Sequence, residues 1–221
     1  MFEEVKVLTH SSIKIVGKKV IYFDPFEIKE ESHDADLIFV THEHYDHYSP
    51  EDIKKVANAD TWIIMPESMR EHEEKMRNIK CKFVYPGGII EAKGIMINAI
   101  PAYNRLKPFH TKGKGYVGYV VVMDNVRYYV AGDTDMTPDN QDIKCDVALI
   151  PVGGKYTMDC REAAKLVNRM KPKLAIPTHY GAVVGSSDDG RQFAELVDNR
   201  IEVRSHEVRI PQYMLFTTPI L

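Results

Sequence analysis

Cysteine is scarce in this 221-residue chain, which has only Cys81, Cys145 and Cys160, far apart from one another. Three scattered thiols exclude a disulfide framework and a cysteine-based zinc site, and they read as small buried or half-buried side chains. An excess of charge of one sign is also lacking. The formal net charge is −3, which excludes the broadly basic surface that binds nucleic-acid phosphates. No apolar run approaches the roughly 20 residues of a membrane span. The start, Met1-Phe2-Glu3-Glu4-Val5-Lys6, offers neither a basic n-region nor an apolar stretch. A secretory leader is therefore not expected, and a cytoplasmic location is. There is no Gly-x-Ser-x-Gly elbow to present a serine nucleophile. Low-complexity tracts and linkers are absent too, so residues 1–221 are expected to form one domain.

What is present is a succession of short strands, with helices recurring between strands later in the chain. Strands are expected at Val5–Leu8, Ser12–Val16 and Val20–Phe23, with Gly17 in a turn. Leu37–Val40 reads as a buried strand. Ser49-Pro50-Glu51-Asp52 gives an N-cap, a proline at the first helical position and an acidic first turn, opening a helix to about Asn58. Thr61–Met65 is a strand and Glu67 to about Asn78 a charged helix. Lys82–Tyr85 and Met96–Ile100 are strands, and Tyr103–Tyr116 is a long basic loop. A hairpin of Val117–Met123 and Arg127–Ala131 turns at Asp124-Asn125, and Val147–Pro151 is a buried strand. Asp159 and Glu162 suggest a capping box opening a helix to Met170. Leu174–Pro177 is a strand, Phe193–Asn199 the last helix, and the tail returns to strands. This order suits two sheets packed face to face with helices outside.

The densest chemistry is Thr41-His42-Glu43-His44-Tyr45-Asp46-His47, directly after the Leu37–Val40 strand. It delivers three imidazoles and a carboxylate to one rim, and those are ligands for zinc, iron or manganese. Three weaker signals end other strands: Phe23-Asp24-Pro25, Gly132-Asp133-Thr134 and Thr178-His179-Tyr180. Each alone is an ordinary turn. Together, the two halves of the chain each have strands ending in Asp and His, as a pseudo-symmetric sandwich with one shared rim site requires.

The order Asp, His-x-His-x-Asp-His, Gly-Asp-Thr, strand-terminal His resembles the metallo-β-lactamase fold superfamily along nearly the whole chain. Thr9-His10-Ser11-Ser12 and the small size look like its lactonase-like branch, which includes relatives of ascorbate-phosphate lactonase. The resemblance implies a four-layer αβ/βα sandwich of two mixed β-sheets with outer helices. It implies two divalent metal ions per chain, zinc first, with manganese or iron as alternatives. His42 and His44 match ligands of the first ion. Asp46, His47 and His179 match ligands of the second, and Asp133 matches the bridging carboxylate. Asp24 matches an acid that supports the cluster from behind, and His10 falls near the site as a further supporting donor.

One departure stands out. A further histidine is expected after the strand ending Pro101-Ala102-Tyr103-Asn104. Tyr103 or Asn104 occupies that place, and His110 lies six residues beyond Asn104. Imidazole suits this metal class better than an amide or a neutral phenol, which favours His110. Either His110 folds back, or the first ion is weakly held.

The chemistry so implied is hydrolysis of an ester, lactone or phosphoester of a small substrate by metal-bound hydroxide, with Asp46 orienting the water or taking its proton. The basic loop suggests an anionic substrate, with Asn104, Lys112 and Tyr180 as candidate contacts and Lys155–Thr157 nearby. His33, His72 and His206 read as surface residues. Three alternatives remain at this point. One is a binding protein with a vestigial site. A nuclease would bring an added domain or basic arm, and a di-iron oxidoreductase usually has Glu where His44 stands. No membrane or nucleic-acid partner is expected.

Overall fold

Alternating side chains along the strands build three apolar layers. In β4 (Ala35–Phe39), Leu37 and Phe39 face one core while Ile38 and the following Val40 face another. In β11 (Val147–Pro151), Val147 and Leu149 join the first of these cores, and Ala148 and Ile150 face a third. Period-2 alternation in strands buried on both faces requires a covering layer on each side. The computed structural model, which describes residues 5–76 and 78–205, supplies those layers as two sheets packed together with helices outside.

The first sheet runs in the order β1 (Val5–Thr9), β2 (Ser12–Val16), β3 (Val20–Phe23), β4, β5 (Ala57–Pro66), β6 (Lys80–Val84). Pairing is antiparallel from β1 to β3 and parallel from β3 to β6. The second sheet runs β13 (Glu202–Val203), β12 (Leu174–Thr178), β11, β10 (Val126–Val130), β9 (Val117–Met123), β8 (Ile95–Pro101), β7 (Ile89–Ala92). It is parallel from β13 to β10 and antiparallel from β10 to β7. Both sheets are mixed, as the sequence leads one to expect. Phe23, Phe39 and Tyr119 stack between them, the first two with ring centres 4.7 Å apart. Burying a side chain of that size stabilises the fold by roughly 1.5–3 kcal/mol.

The first helix, α1 (Pro50–Val56), starts where expected, with the Ser49 hydroxyl accepting from the Asp52 N–H. It stops short of Asn58 because Ala57 turns extended and pairs with Ala35. Helix α2 (Cys160–Met170) opens on Asp159, which accepts from the Glu162 N–H at 2.8 Å. The expected capping box is half made. The Glu162 carboxylate instead accepts from the Met136 N–H at 3.0 Å and so ties α2 to the turn after Asp133.

Other expectations are corrected. The charged helix expected from Glu67 to about Asn78 is a 3₁₀ helix over Glu67–Met76, with only Met69 and Met76 buried. Strand β7 has no counterpart in the sequence reading. The last helix, α3, is Asp189–Leu196 and not Phe193–Asn199. At its Gly190, Tyr180 packs where a Cβ would stand, so the helix needs glycine there. The expected return to strands begins with β13, and the rest of the tail, with His206, lies outside the described residues.

Candidate metal centre

The parallel strands of both sheets discharge their ends at one edge, where open α/β sheets place ligands. Asp24 follows β3, the histidine cluster follows β4, Asp133 follows β10 and His179 follows β12. Asp24 is buried, and its carboxylate accepts from the Thr41 N–H at 2.8 Å, the Thr41 hydroxyl at 2.7 Å and the His47 Nδ1–H at 2.7 Å. The Thr41 hydroxyl has one proton, and Asp24 takes it. Its lone pairs then face the Nδ1–H of His42 at 3.0 Å and of His47 at 3.3 Å. Protonated Nδ1 leaves Nε2 of both rings as a lone pair turned into the site, which is how supporting groups set the tautomer of a ligand histidine. Sequence reasoning passed over Thr41, although it begins the motif.

Two clusters result. In one, His42 Nε2 and His110 Nε2 stand 3.0 and 3.1 Å from His44 Nδ1. In the other, Asp46 Oδ2 lies 3.1 Å from His10 Nε2 and 3.7 Å from both His47 Nε2 and His179 Nε2. Asp133 sits between the clusters. Its Oδ2 is 3.3 Å from His110 Nε2, 4.0 Å from His42 Nε2 and 3.1 Å from His179 Nε2, and its Oδ1 is 3.3 Å from His47 Nε2. The ligand atoms within each group converge to less than 4.8 Å, as a shared cation requires.

His110 reaches the site because Asn104 closes the loop behind it. The Asn104 N–H donates to the His110 carbonyl at 2.8 Å, and the Asn104 amide donates to the Phe109 and Tyr156 carbonyls at 3.0 and 2.7 Å. His110 takes a left-handed φ of +53°, as do His10 at +47°, Asp24 at +42° and His179 at +57°. The Asn104 side chain is thus buried as a loop anchor, and its donors are committed away from any substrate. Lys112 is bound to Asp139 at 3.0 Å and lies over the Tyr103 ring. Tyr180 is buried in the apolar layer under α2 and α3, because the left-handed turn at His179 sends the next side chain the other way. Tyr103 donates to Asp139 at 2.7 Å. Tyr116, which the sequence reading did not single out, places its ring 4.9 Å from that of His42 and donates to Glu43 at 2.7 Å. His33 and His72 lie elsewhere, beside the Ala57 carbonyl and the Tyr48 ring.

Electrostatics prepare the donors. Burial, then the neighbouring His47, holds His42 well below the usual histidine range. Burial and His179 push His10 down to about 3, and burial lowers His110. Asp133 and Asp46 stay ionised: burial opposes their charge, but the surrounding imidazoles outweigh it. Burial also opposes a charge on His47, yet Asp133 and Asp24 raise it to about 10. A positive charge is therefore favoured beside the two carboxylates. His47 Nε2, His179 Nε2 and Asp133 Oδ1 are buried without a hydrogen-bond partner among the described residues. Such orphans are costly unless something unseen satisfies them. Imidazoles and carboxylates aimed at one another fit divalent cations, one of which would take the place of the proton that His47 keeps in the metal-free chain.

Comparison with known proteins agrees with this geometry. Residues 4–179 match the family model described as a beta-lactamase superfamily domain, and the chain belongs to that superfamily. Among its relatives is a UPF0173 metal-dependent hydrolase of Pyrococcus horikoshii, 33% identical over 214 residues, covering 90% of this chain and 94% of the other. One of Thermoplasma acidophilum is 34% identical over 194 residues, covering 80% and 84%. A protein of Parabacteroides distasonis with a solved crystal structure is 31% identical, with a TM-score of 0.78 and 93% of each chain covered. The metallo hydrolase Igni18 of Ignicoccus hospitalis, at 23% identity and a TM-score of 0.73 over 92% and 94% of the chains, shares the fold.

Proposed function

We propose that this chain is a two-metal hydrolase acting on an ester, lactone or phosphoester of a small molecule. The observation that carries the reading is the set of buried, unpartnered atoms (His47 Nε2, His179 Nε2 and Asp133 Oδ1) lying among the histidines of both clusters. His42, His44 and His110 would hold one divalent cation, and Asp46, His47 and His179 the other. Asp133 faces both groups and would lie between the two cations. Zinc suits this donor set best, with manganese or iron as the other candidates. Bound cations would supply a hydroxide at neutral pH and polarise the electrophile's oxygen.

The chain's own residues do the rest. Asp24 and Thr41 hold the His42 and His47 tautomers that offer Nε2. Asp46 would help hold a cation or take the proton of the attacking water, and the His10 Nε2–H keeps that carboxylate oriented at 3.1 Å. The test is elemental analysis of metal per chain, followed by a panel of lactones, phosphodiesters and thioesters with metal restored. Two ions per chain and metal-dependent cleavage are expected. A protein that takes up no metal and gains no stability from it would sink the reading.

A further inference from the structure

The loop after β8 carries Arg105, Lys107, Lys112 and Lys114, and in sequence it reads as a positive lid. In the fold its lysines are already engaged. Lys107 is ion-paired with Asp135, Lys112 with Asp139 at 3.0 Å, and Lys114 approaches Glu43 to 3.5 Å. These acids lie on other segments, so the lysines tie the loop down and each has an acid beside it, although Lys112 and Lys114 stay exposed. Between those cations the segment also shows apolar side chains to solvent: Leu106 is 97% exposed and Phe109 44%. Phe109 directly precedes His110, and its ring meets Tyr156 edge-on at 4.8 Å. The Asn104 amide binds the carbonyls of both Phe109 and Tyr156, so the aromatic pair is fixed to the element that presents His110. On the other flank Tyr45, between His44 and Asp46, is 67% exposed. Grouped exposed apolar side chains beside a polar centre mark a binding surface.

We propose that Leu106, Phe109 and Tyr156 form the specificity surface of this centre, and that it takes substrates with an apolar acyl or alkyl group rather than an anionic one. This deepens the hydrolase reading and rests on it. It also replaces the anionic substrate that the loop's lysines suggest in sequence. Arg105 is the loop's remaining cation, and it provides the control.

The test uses the full, metal-loaded chain and alkyl hydroxamates from acetyl to octanoyl, with binding read by calorimetry. Esters of the same acyl groups and one carboxylate-terminated ester are assayed in parallel. Affinity should rise by roughly two-fold per added methylene, about half of the full burial increment. Phe109→Ala and Leu106→Ser should flatten that slope, with metal content measured alongside. Arg105→Ala and Lys112→Ala should leave the slope intact. A flat chain-length series overturns the proposal. So does a preference for the carboxylate-terminated ester that disappears in Arg105→Ala. A steep hydroxamate series with no bond cleaved supports the apolar surface and refutes hydrolysis. Hydroxamates that fail to bind the metal-loaded chain, with none of the esters cleaved, refute both.

Discussion

The two halves of the metal centre are built on different principles. The group of His10, Asp46, His47 and His179 is buried, contains a carboxylate, and has its rings packed together, with His10 and His179 3.9 Å apart between centres. Its members come from the β1–β2 turn, the turn after β4 and the end of β12. The group of His42, His44 and His110 is all imidazole, with His44 half-buried and His110 carried by a loop. A cation held by the first group would have Asp46 and Asp133 beside it, whereas one held by the second would have only Asp133 among these acids. Coulomb attraction in a partly desolvated site makes that extra charge decisive. The difference teaches that one site is a fixed anionic cup and the other is completed by a clasp, so the two ions should leave in order.

The largest effect should come from removing what the halves share. Asp133→Ala should strip most metal from both and lower activity by more than roughly 100-fold, the upper end for loss of an outer supporting group. Full metal occupancy in that variant would refute the bridging place. Next, His110→Ala should bring stoichiometry towards one ion per chain by elemental analysis, with the remaining ion resisting chelator. Two tightly held ions in His110→Ala would erase the contrast drawn here. Asp24→Asn disturbs His47 directly and His42 through Thr41, so it should weaken metal binding by about 10–100-fold in titrations of the apo-protein.

The metal-free chain offers a fourth handle. His10 is held down to about 3 by burial and His179, below the ordinary 6.5 of the unfolded chain. Between those values the unfolded state binds more protons, so stability falls as the pH drops from 6.5 towards 3. Urea midpoints of His10→Gln without metal should fall less steeply over that range than those of the parent. Equal slopes would show that His10 does not set the acid response. Smallest of all, Asn104→Ala should loosen the clasp without removing a ligand. It should reduce first-site affinity less than His110→Ala does, by about 10-fold at most, the low end for an outer-shell partner.

The anionic cup was the more legible half in sequence. Its core, Asp46 and His47, lies within one motif after one apolar strand, and His179 ends another, so local pattern and strand direction locate them. The clasp required more, because His110 lies beyond the strand end and only the Asn104 bonds bring it back. Lysine pairing was invisible, since Asp135, Asp139 and Glu43 are remote in sequence from the side chains they neutralise. Tyr180 misled because alternation along a strand stops at the left-handed His179. Two packed sheets with outer helices followed from the order of strands and helices, and their mixed pairing from the resemblance, whereas α3 was mislaid because Gly190 answers to Tyr180, a tertiary contact.

Those left-handed residues have an evolutionary consequence. His10, Asp24, His110 and His179 each hold a backbone conformation that suits glycine or asparagine better. Each costs of order 1 kcal/mol against the marginal stability of a domain. Glycine at position 110 would thus give a metal-free fold more robust than alanine there does. A lineage released from metal binding would drift towards glycine and asparagine at these four places, while one that keeps the reaction carries the strain from generation to generation.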